Sequence, residues 1–87
     1  MALRVEIVTP TQIAFTGEAD QVQAPGQLGE FGVLPKHELM VALTQPGIVT
    51  LHTGGSQQAF KVGTGFAEVG GDHVTLLVDS CEATSVH

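Results

Sequence analysis

The sequence has 87 residues, of which 43% are hydrophobic and 14% are charged, with a formal net charge of −6. A chain of this length forms a single domain with a thin core, and so few charged residues exclude a disordered acidic chain. The 3 basic residues against 9 acidic ones argue against nucleic acid or an anionic membrane surface as a partner, because both are bound mainly through lysine and arginine. No apolar run reaches the ~20 residues that span a bilayer, and the N-terminus has no signal-peptide segment, so we expect a soluble, cytoplasmic chain.

The chain begins with short strands. Residues 3–8 alternate apolar and polar side chains with period two, which predicts a half-buried strand. After a turn, a second strand should point Ile13 and Phe15 inward, and residues 20–24 form a third strand. Tryptophan and tyrosine are absent, so the large core side chains should be the four phenylalanines, namely Phe15, Phe31, Phe60 and Phe66.

Within residues 24–37, glycine recurs at every third position from Gly26 to Gly32 and is followed by a prolyl turn. Glycine allows positive φ and proline fixes φ, so we predict an ordered, exposed loop rather than a flexible linker. A phosphate-binding loop is excluded, because Gly32 is followed by Val33-Leu34-Pro35, which opposes the start of a helix. The apolar residues should fold back onto the core and the charged ones should face outwards: Leu28, Phe31, Val33 and Leu34 in the first group, Glu30, Lys36, His37 and Glu38 in the second.

The second half of the chain reads as strands separated by turns every eight to ten residues. Residues 38–43 are apolar but too few for a confident helix, so we interpret them as a strand. Gly54-Gly55 and Gly70-Gly71 each lie between two β-prone segments and predict hairpins. The predicted fold is all-β, a small two-sheet β-sandwich or flattened barrel of about eight to ten short strands over residues 1–80. Residues 81–87 are predicted to be a polar, frayed tail.

No pattern of residues indicates catalysis, a metal or a cofactor. The four histidines lack metal-ligand spacing, and the carboxylates are scattered. Cys81, the one cysteine, lies in the predicted tail, where a thiolate and a base could not be held together. His37 is the exception among the histidines, because it lies in the exposed prolyl turn and is expected to make an interface contact.

Several separated motifs occur in one order along the chain. They are Ala24-Pro25-Gly26-x-x-Gly29-Glu30-x-Gly32-Val33-Leu34-Pro35-x-His37, Leu43-x-x-Pro46-Gly47, Gly65-Phe66-x-Glu68-Val69 and Val74-x-Leu76-x-x-Asp79, preceded by Val8-x-Pro10 and Phe15-x-Gly17-Glu18-Ala19. Together they resemble the epsilon subunit of rotary F-type ATP synthases over nearly all of the sequence.

The resemblance implies an N-terminal β-sandwich that binds the rotating gamma subunit and rests on the membrane ring of c subunits. It implies a non-catalytic central-stalk subunit that couples ion translocation to ATP synthesis, at the cytoplasmic face of a bacterial inner membrane and attached to it only through the complex. By position, the resemblance makes seven residues candidates for the interface with the c-ring and gamma: Gly29, Glu30, Phe31, Gly32, His37, Met40 and Ala42.

The sequence departs from the family in a few places. Glu38-Leu39 stands where members usually have Ala-Pro, Gly63-Thr64-Gly65 replaces serine-glycine-glycine, and Val78-Asp79-Ser80-Cys81 replaces alanine-aspartate-threonine-alanine. The nine residues after Val78 are too few for the usual C-terminal helical hairpin. We therefore expect that these residues neither inhibit ATP hydrolysis through such an arm nor bind ATP through it. The alternative is a free-standing small β-barrel that binds a peptide or a small molecule.

Overall fold

A computed structural model describes residues 2–85, apart from the side chain of His37. Every regular element within this range is a β-strand, which confirms the all-β prediction. The ten strands are β1 (Leu3–Thr9), β2 (Gln12–Ala19), β3 (Gln21–Gly26), β4 (Gly29–Val33), β5 (His37–Thr44), β6 (Gly47–Thr53), β7 (Ser56–Val62), β8 (Gly65–Gly71), β9 (His73–Val78) and β10 (Cys81–Thr84).

The strands form one nearly closed sheet in the order β10-β7-β6-β3-β5-β8-β9-β1-β2, with β4 paired to β3. β3 pairs with β5 at a single position, Gly26 with Thr44, so the path divides there into two five-stranded layers. The layers also meet elsewhere, where Phe15 of β2 packs on Phe60 of β7 with ring centroids 5.2 Å apart. Near closure of this kind leaves few sheet edges exposed to other chains.

The registers place the turns at two ends of the sandwich. One end carries the Gln27-Leu28 turn and the corner at Pro46, where β5 passes into β6. The other end carries the prolyl segment before β5 and the turn at Asp72, because His37 pairs with Gly71. The predicted interface residues lie at these two ends and on β4 and β5, which run between them.

The core comes from the inward phase of alternating strands. In β1, Leu3, Val5 and Ile7 are fully buried, whereas Arg4 is exposed and Glu6 is partly exposed. β1 pairs with β2 on one side and in parallel with β9 on the other, so its inward side chains are central. Period-two alternation is the sequence signal for this arrangement, and the strand prediction for residues 3–8 is confirmed.

Ile13 and Phe66 were expected in the core but are exposed. Ile13 is 62% exposed and Phe66 is 37% exposed, whereas Phe60 is only 8% exposed. Phe15 and Phe31 are partly buried and pack against the core. Ile13 lies beyond a register shift at Ile7 and Val8, next to the Pro10-Thr11 turn that closes the β1–β2 hairpin, and its side chain is turned away from the core.

The predicted frayed tail is wrong for residues 81–84. They form β10, which pairs antiparallel with Ala59–Val62 of β7, and Gly63 N donates to Ser80 O at 3.1 Å where the chain crosses over. The sequence gives no sign of this strand because its side chains are partly or fully exposed, so they carry no alternation. Backbone pairing with β7 orders it instead.

Candidate docking surface

The glycine-rich segment is a β-hairpin rather than the predicted loop. β3 and β4 pair from Val22 opposite Val33 to Gly26 opposite Gly29. Gln27 and Leu28 form the turn, and Gly29 has a φ of 124°, which a residue with a side chain rarely adopts. A Cβ at Gly26 would lie 2.9 Å from the Phe31 ring, so this glycine allows the ring to lie against the hairpin backbone.

Apolar side chains at this hairpin are exposed where the sequence predicted burial. Leu28 at the tip is 105% exposed, and Leu34 after β4 is 58% exposed. Val33 is fully buried and Phe31 is partly buried, as expected. Leu28 is the tip of a two-residue turn and extends past the end of the sheet, so its side chain cannot reach the core.

From Leu39 to Leu43, β5 carries apolar side chains on both of its faces. Met40 and Ala42 lie on the inward phase, and Met40 packs against the core. Leu39, Val41 and Leu43 lie on the outward phase and are 89%, 70% and 58% exposed. Three successive outward apolar residues on one strand are unusual for a surface that only meets water.

The neighbouring strand extends this apolar surface. Phe66 of β8 pairs with Leu43, so the two exposed side chains are cross-strand neighbours on the same outward face. Exposed Glu68 pairs with Val41 and adds one carboxylate to the face. We use the term apolar face for the surface formed by Leu28, Leu39, Val41, Leu43 and Phe66.

A surface groove of about 590 Å³ lies between the tip of the β3–β4 hairpin and β5. Five of the predicted interface residues line it, and these are Gly29, Glu30, Phe31, Met40 and Ala42. Gly32 is exposed on β4 outside the groove. His37 begins β5 at the opposite end of that strand, and its side chain lies outside what the structure describes.

At that opposite end, the prolyl segment is held by a hydrogen bond that it donates to another turn. Lys36 has a φ of 65° and is the non-glycine residue with positive φ within residues 2–85. Its backbone N–H donates to Asp72 Oδ1 at 2.9 Å. Beyond it, Glu38 and Leu39 stand opposite Gly70 alone, because His37 pairs with Gly71 and Met40 with Val69. This two-against-one arrangement is a β-bulge.

His52 and Cys81 are two polar side chains that lie away from the apolar face. His52 Nε2 lies 3.0 Å from Gln23 Oε1, and Gln57 Nε2 lies 3.1 Å from His52 Nδ1, so the imidazole is held between two amides. Burial raises the pKa of the Cys81 thiol, which keeps the thiol protonated near neutral pH. Within residues 2–85 the structure contains no group of three metal-ligating side chains and no helix able to cross a membrane.

The sequence predictions missed the outward residues of the apolar face, namely Leu39, Val41, Leu43 and Phe66. A signal was present, because residues 39–43 are all apolar, and a strand with one buried face needs only alternate apolar residues. The additional apolar residues on the outward face of the strand indicate that this face forms a contact surface besides the core.

The comparisons with known proteins agree with this fold. Residues 2–84 match the family described as ATP synthase, Delta/Epsilon chain, beta-sandwich domain. The chain is 50% identical over 74 residues to an ATP synthase epsilon chain of a Bradyrhizobium species, and 49% identical over 81 residues to one of Rhodopseudomonas palustris. These matches cover 85% and 93% of this chain but 55% and 58% of the relatives, so the chain spans little more than half of their length.

Solved structures show the same fold at lower identity. A chain in the Euglena gracilis mitochondrial ATP synthase, in a structure of OSCP, F1 and c-ring, superposes with a TM-score of 0.88 at 21% identity, covering 94% of this chain and 53% of that one. A chain in the central stalk and c-ring structure of the Tetrahymena thermophila mitochondrial ATP synthase gives a TM-score of 0.75 at 12% identity, covering 94% and 66%.

Proposed function

Because the chain belongs to the family of ATP synthase delta and epsilon chain β-sandwich domains, we propose that it is part of a central-stalk subunit that binds the gamma subunit and the c-ring. In this role it couples ion translocation to ATP synthesis and has no catalytic site of its own. Its relatives of highest identity given above are bacterial proteins, which supports a location at the cytoplasmic face of a bacterial inner membrane, with attachment through the complex.

The apolar face carries this proposal. Five large apolar side chains, each at least 37% exposed, lie along β5, β8 and the hairpin tip. A surface of this kind on a small domain is typical of a site covered by another protein. We assign it to the gamma subunit, because a permanent partner can keep it away from water.

The hairpin beside the apolar face supplies the rest of the proposed interface. Glu30 and Gly32 are exposed on β4, which pairs with β3 and leaves its outer backbone edge open. We assign Gly29, Glu30, Phe31 and Gly32 to the c-ring and the foot of gamma, together with His37. Met40 and Ala42 face inward and would meet a partner only through the groove that they line.

Replacing Glu30 by Gln and His37 by Ala together tests the hairpin assignment. We expect weaker binding to gamma and the c-ring. Because Glu30 is exposed and the sequence predicts that His37 faces outwards, the free energy of unfolding should change by no more than about 0.5 kcal/mol. The measurements are a dissociation constant for the assembled rotor and denaturant unfolding of the isolated domain. Glu18→Gln with His73→Ala is the matched control, because both residues are exposed on β2 and β9 and lie outside the proposed interface. Unchanged binding of the Glu30 and His37 variant would contradict the assignment.

The groove also supports a second candidate, a free-standing module that binds an apolar peptide or small molecule, because it holds about 590 Å³ beside exposed leucines. Purification from the native cell separates the two candidates. A central-stalk subunit should be recovered with gamma and the c-ring at one to one stoichiometry with gamma, whereas a free-standing module should be recovered without them.

A further inference from the structure

Two aspartates in this chain make the same unusual contact. Asp72 Oδ1 accepts from the backbone N–H of Lys36 at 2.9 Å, and Asp20 Oδ2 accepts from the backbone N–H of Gly54 at 2.7 Å. In both cases the donor has positive φ, 65° at Lys36 and 59° at Gly54. Each aspartate therefore joins its own turn to a distant turn in the left-handed conformation.

The two contacts differ in how much the donor residue needs them. Glycine adopts positive φ without steric cost, whereas a lysine at φ 65° brings its Cβ close to the following carbonyl oxygen. Such a conformation persists when surrounding contacts determine it. The Asp72 carboxylate is the contact that holds the Lys36 amide, and Asp72 is itself fixed because its carbonyl oxygen accepts from Arg4 N at 2.6 Å.

The conformation of Lys36 sets the start of β5. His37 follows immediately and pairs with Gly71, and the bulge at Glu38 and Leu39 comes next. Leu39 leaves this bulge 89% exposed, with its Cδ2 so close to Gly70 that a Cβ at position 70 would clash with it. The bulge and the bare Gly70 backbone together determine where the Leu39 side chain lies on the apolar face.

We propose that Asp72 is a positioning residue for partner docking: by holding Lys36 in the left-handed conformation, it fixes the bulge that presents Leu39 to an apolar pocket on the gamma subunit. This inference rests on the proposed function. Asp72 does not itself have to touch the partner. Its contribution is preorganisation, which raises affinity by reducing the ordering required when the complex forms.

A double-mutant cycle between Asp72 and Leu39 tests the proposal, with the dissociation constant for gamma measured well below the unfolding temperature of every variant. Leu39→Ala should weaken binding about tenfold in the native background, as expected for an apolar anchor that becomes buried. Asp72→Ala should weaken binding roughly fivefold, and in that background Leu39→Ala should cost no more than about threefold. A purely structural role for Asp72 would lower the unfolding temperature but leave the Leu39 effect unchanged.

Three further variants make the test specific. Asp72→Asn keeps an acceptor oxygen and should bind within about twofold of the native chain. Lys36→Gly should restore binding in the Asp72→Ala background, because glycine takes positive φ without the carboxylate. Asp20→Ala removes the matching hydrogen bond in the other pair and should leave both binding and the Leu39 effect unchanged.

The outcomes separate this proposal from the proposed function. If the native chain does not bind gamma, the proposed function is wrong and this inference falls with it. If the native chain binds and Asp72→Ala binds equally well, or its effect is additive with Leu39→Ala, or Lys36→Gly fails to restore binding, the positioning role alone is wrong. Should Asp72→Ala fail to fold, Lys36→Pro provides a second disruption of the same contact, because proline has no N–H and cannot take positive φ. In the Lys36→Pro background, we expect Leu39→Ala to have little further effect on binding.

Discussion

Strands β1 and β5 alternate in the same way but carry different residues on their outward faces. In β1 the inward Leu3, Val5 and Ile7 alternate with Arg4 and Glu6. In β5 the inward phase is also apolar, but the outward phase carries a further set of apolar residues, namely Leu39, Val41 and Leu43.

The difference shows that the outward face of a strand can serve association with a partner as well as folding. β1 is paired on both sides, by β2 and β9. Burial of its inward face in the core accounts for its alternation of apolar and charged residues. β5 is paired with β8 along its length and touches β3 at one position, and it retains apolar area that folding does not remove from water. That remaining area is available for association, because its burial against a partner is favourable at about 25 cal/mol per Å² before the costs of binding.

The largest effect should come from the same truncation made in the two strands. Leu3→Ala removes a fully buried side chain and should lower the free energy of unfolding by about 2–5 kcal/mol. Leu39→Ala removes an exposed side chain and should change it by no more than about 0.5 kcal/mol. Denaturant unfolding of the isolated domain measures both. Equal losses would mean that the outward face of β5 contributes to folding, and the comparison between the strands would fail.

Gly65 and Gly70 on β8 give a second comparison between the packing of the fold and the apolar face. A Cβ at Gly65 would clash with the backbone carbonyl of Leu77, whereas a Cβ at Gly70 would meet only the end of the Leu39 side chain. Backbone cannot move aside as a flexible side chain can, so Gly65→Ala should lower the free energy of unfolding by about 1–3 kcal/mol or more. Gly70→Ala should cost less than 1 kcal/mol, roughly, because Leu39 can rotate, but it should weaken binding to gamma. Comparable stability of the two variants would show that small backbone shifts relieve the close approach of the strands at Gly65.

The sequence predicted the fold well where one rule decided the structure. Alternation predicted β1, and Gly54 with Gly55 predicted the β6–β7 hairpin that is observed. It failed where backbone pairing, rather than side-chain pattern, decides the structure. The glycine spacing predicts a loop at Gly29 and Gly32 although β4 pairs with β3, and the polar composition predicts a tail at residues 81–84 although β7 orders them.

The candidate site was harder to predict than the fold for a related reason. Apolar residues in a short sequence are expected in the core, and this expectation places Leu28, Leu34 and Phe66 inward, but all three are exposed. Under the proposed function, Leu28 and Phe66 become buried against a partner that the chain alone does not specify. The Asp72 contact joins residues 36 positions apart, and no local pattern in the sequence indicates which backbone amide a turn aspartate will reach.

The smallest change in shape gives the most direct comparison of the two strands. Val5→Thr and Val41→Thr each replace one methyl group by a hydroxyl of nearly the same size, and both keep a β-branched side chain suited to a strand. Val5 is fully buried and Val41 is 70% exposed. A hydroxyl buried without a hydrogen-bond partner costs about 1–3 kcal/mol. Val5→Thr should therefore lose that much stability in the isolated domain, while Val41→Thr should stay within about 0.5 kcal/mol of the native chain.

Binding to gamma should show the reverse order of effects, because the hydroxyl at position 41 is solvated in the free domain and loses water only when gamma covers it. A loss of roughly fivefold to 150-fold in affinity corresponds to that penalty. If Val41→Thr binds as tightly as the native chain, the outward face of β5 is not covered in the complex and the apolar face must serve another contact.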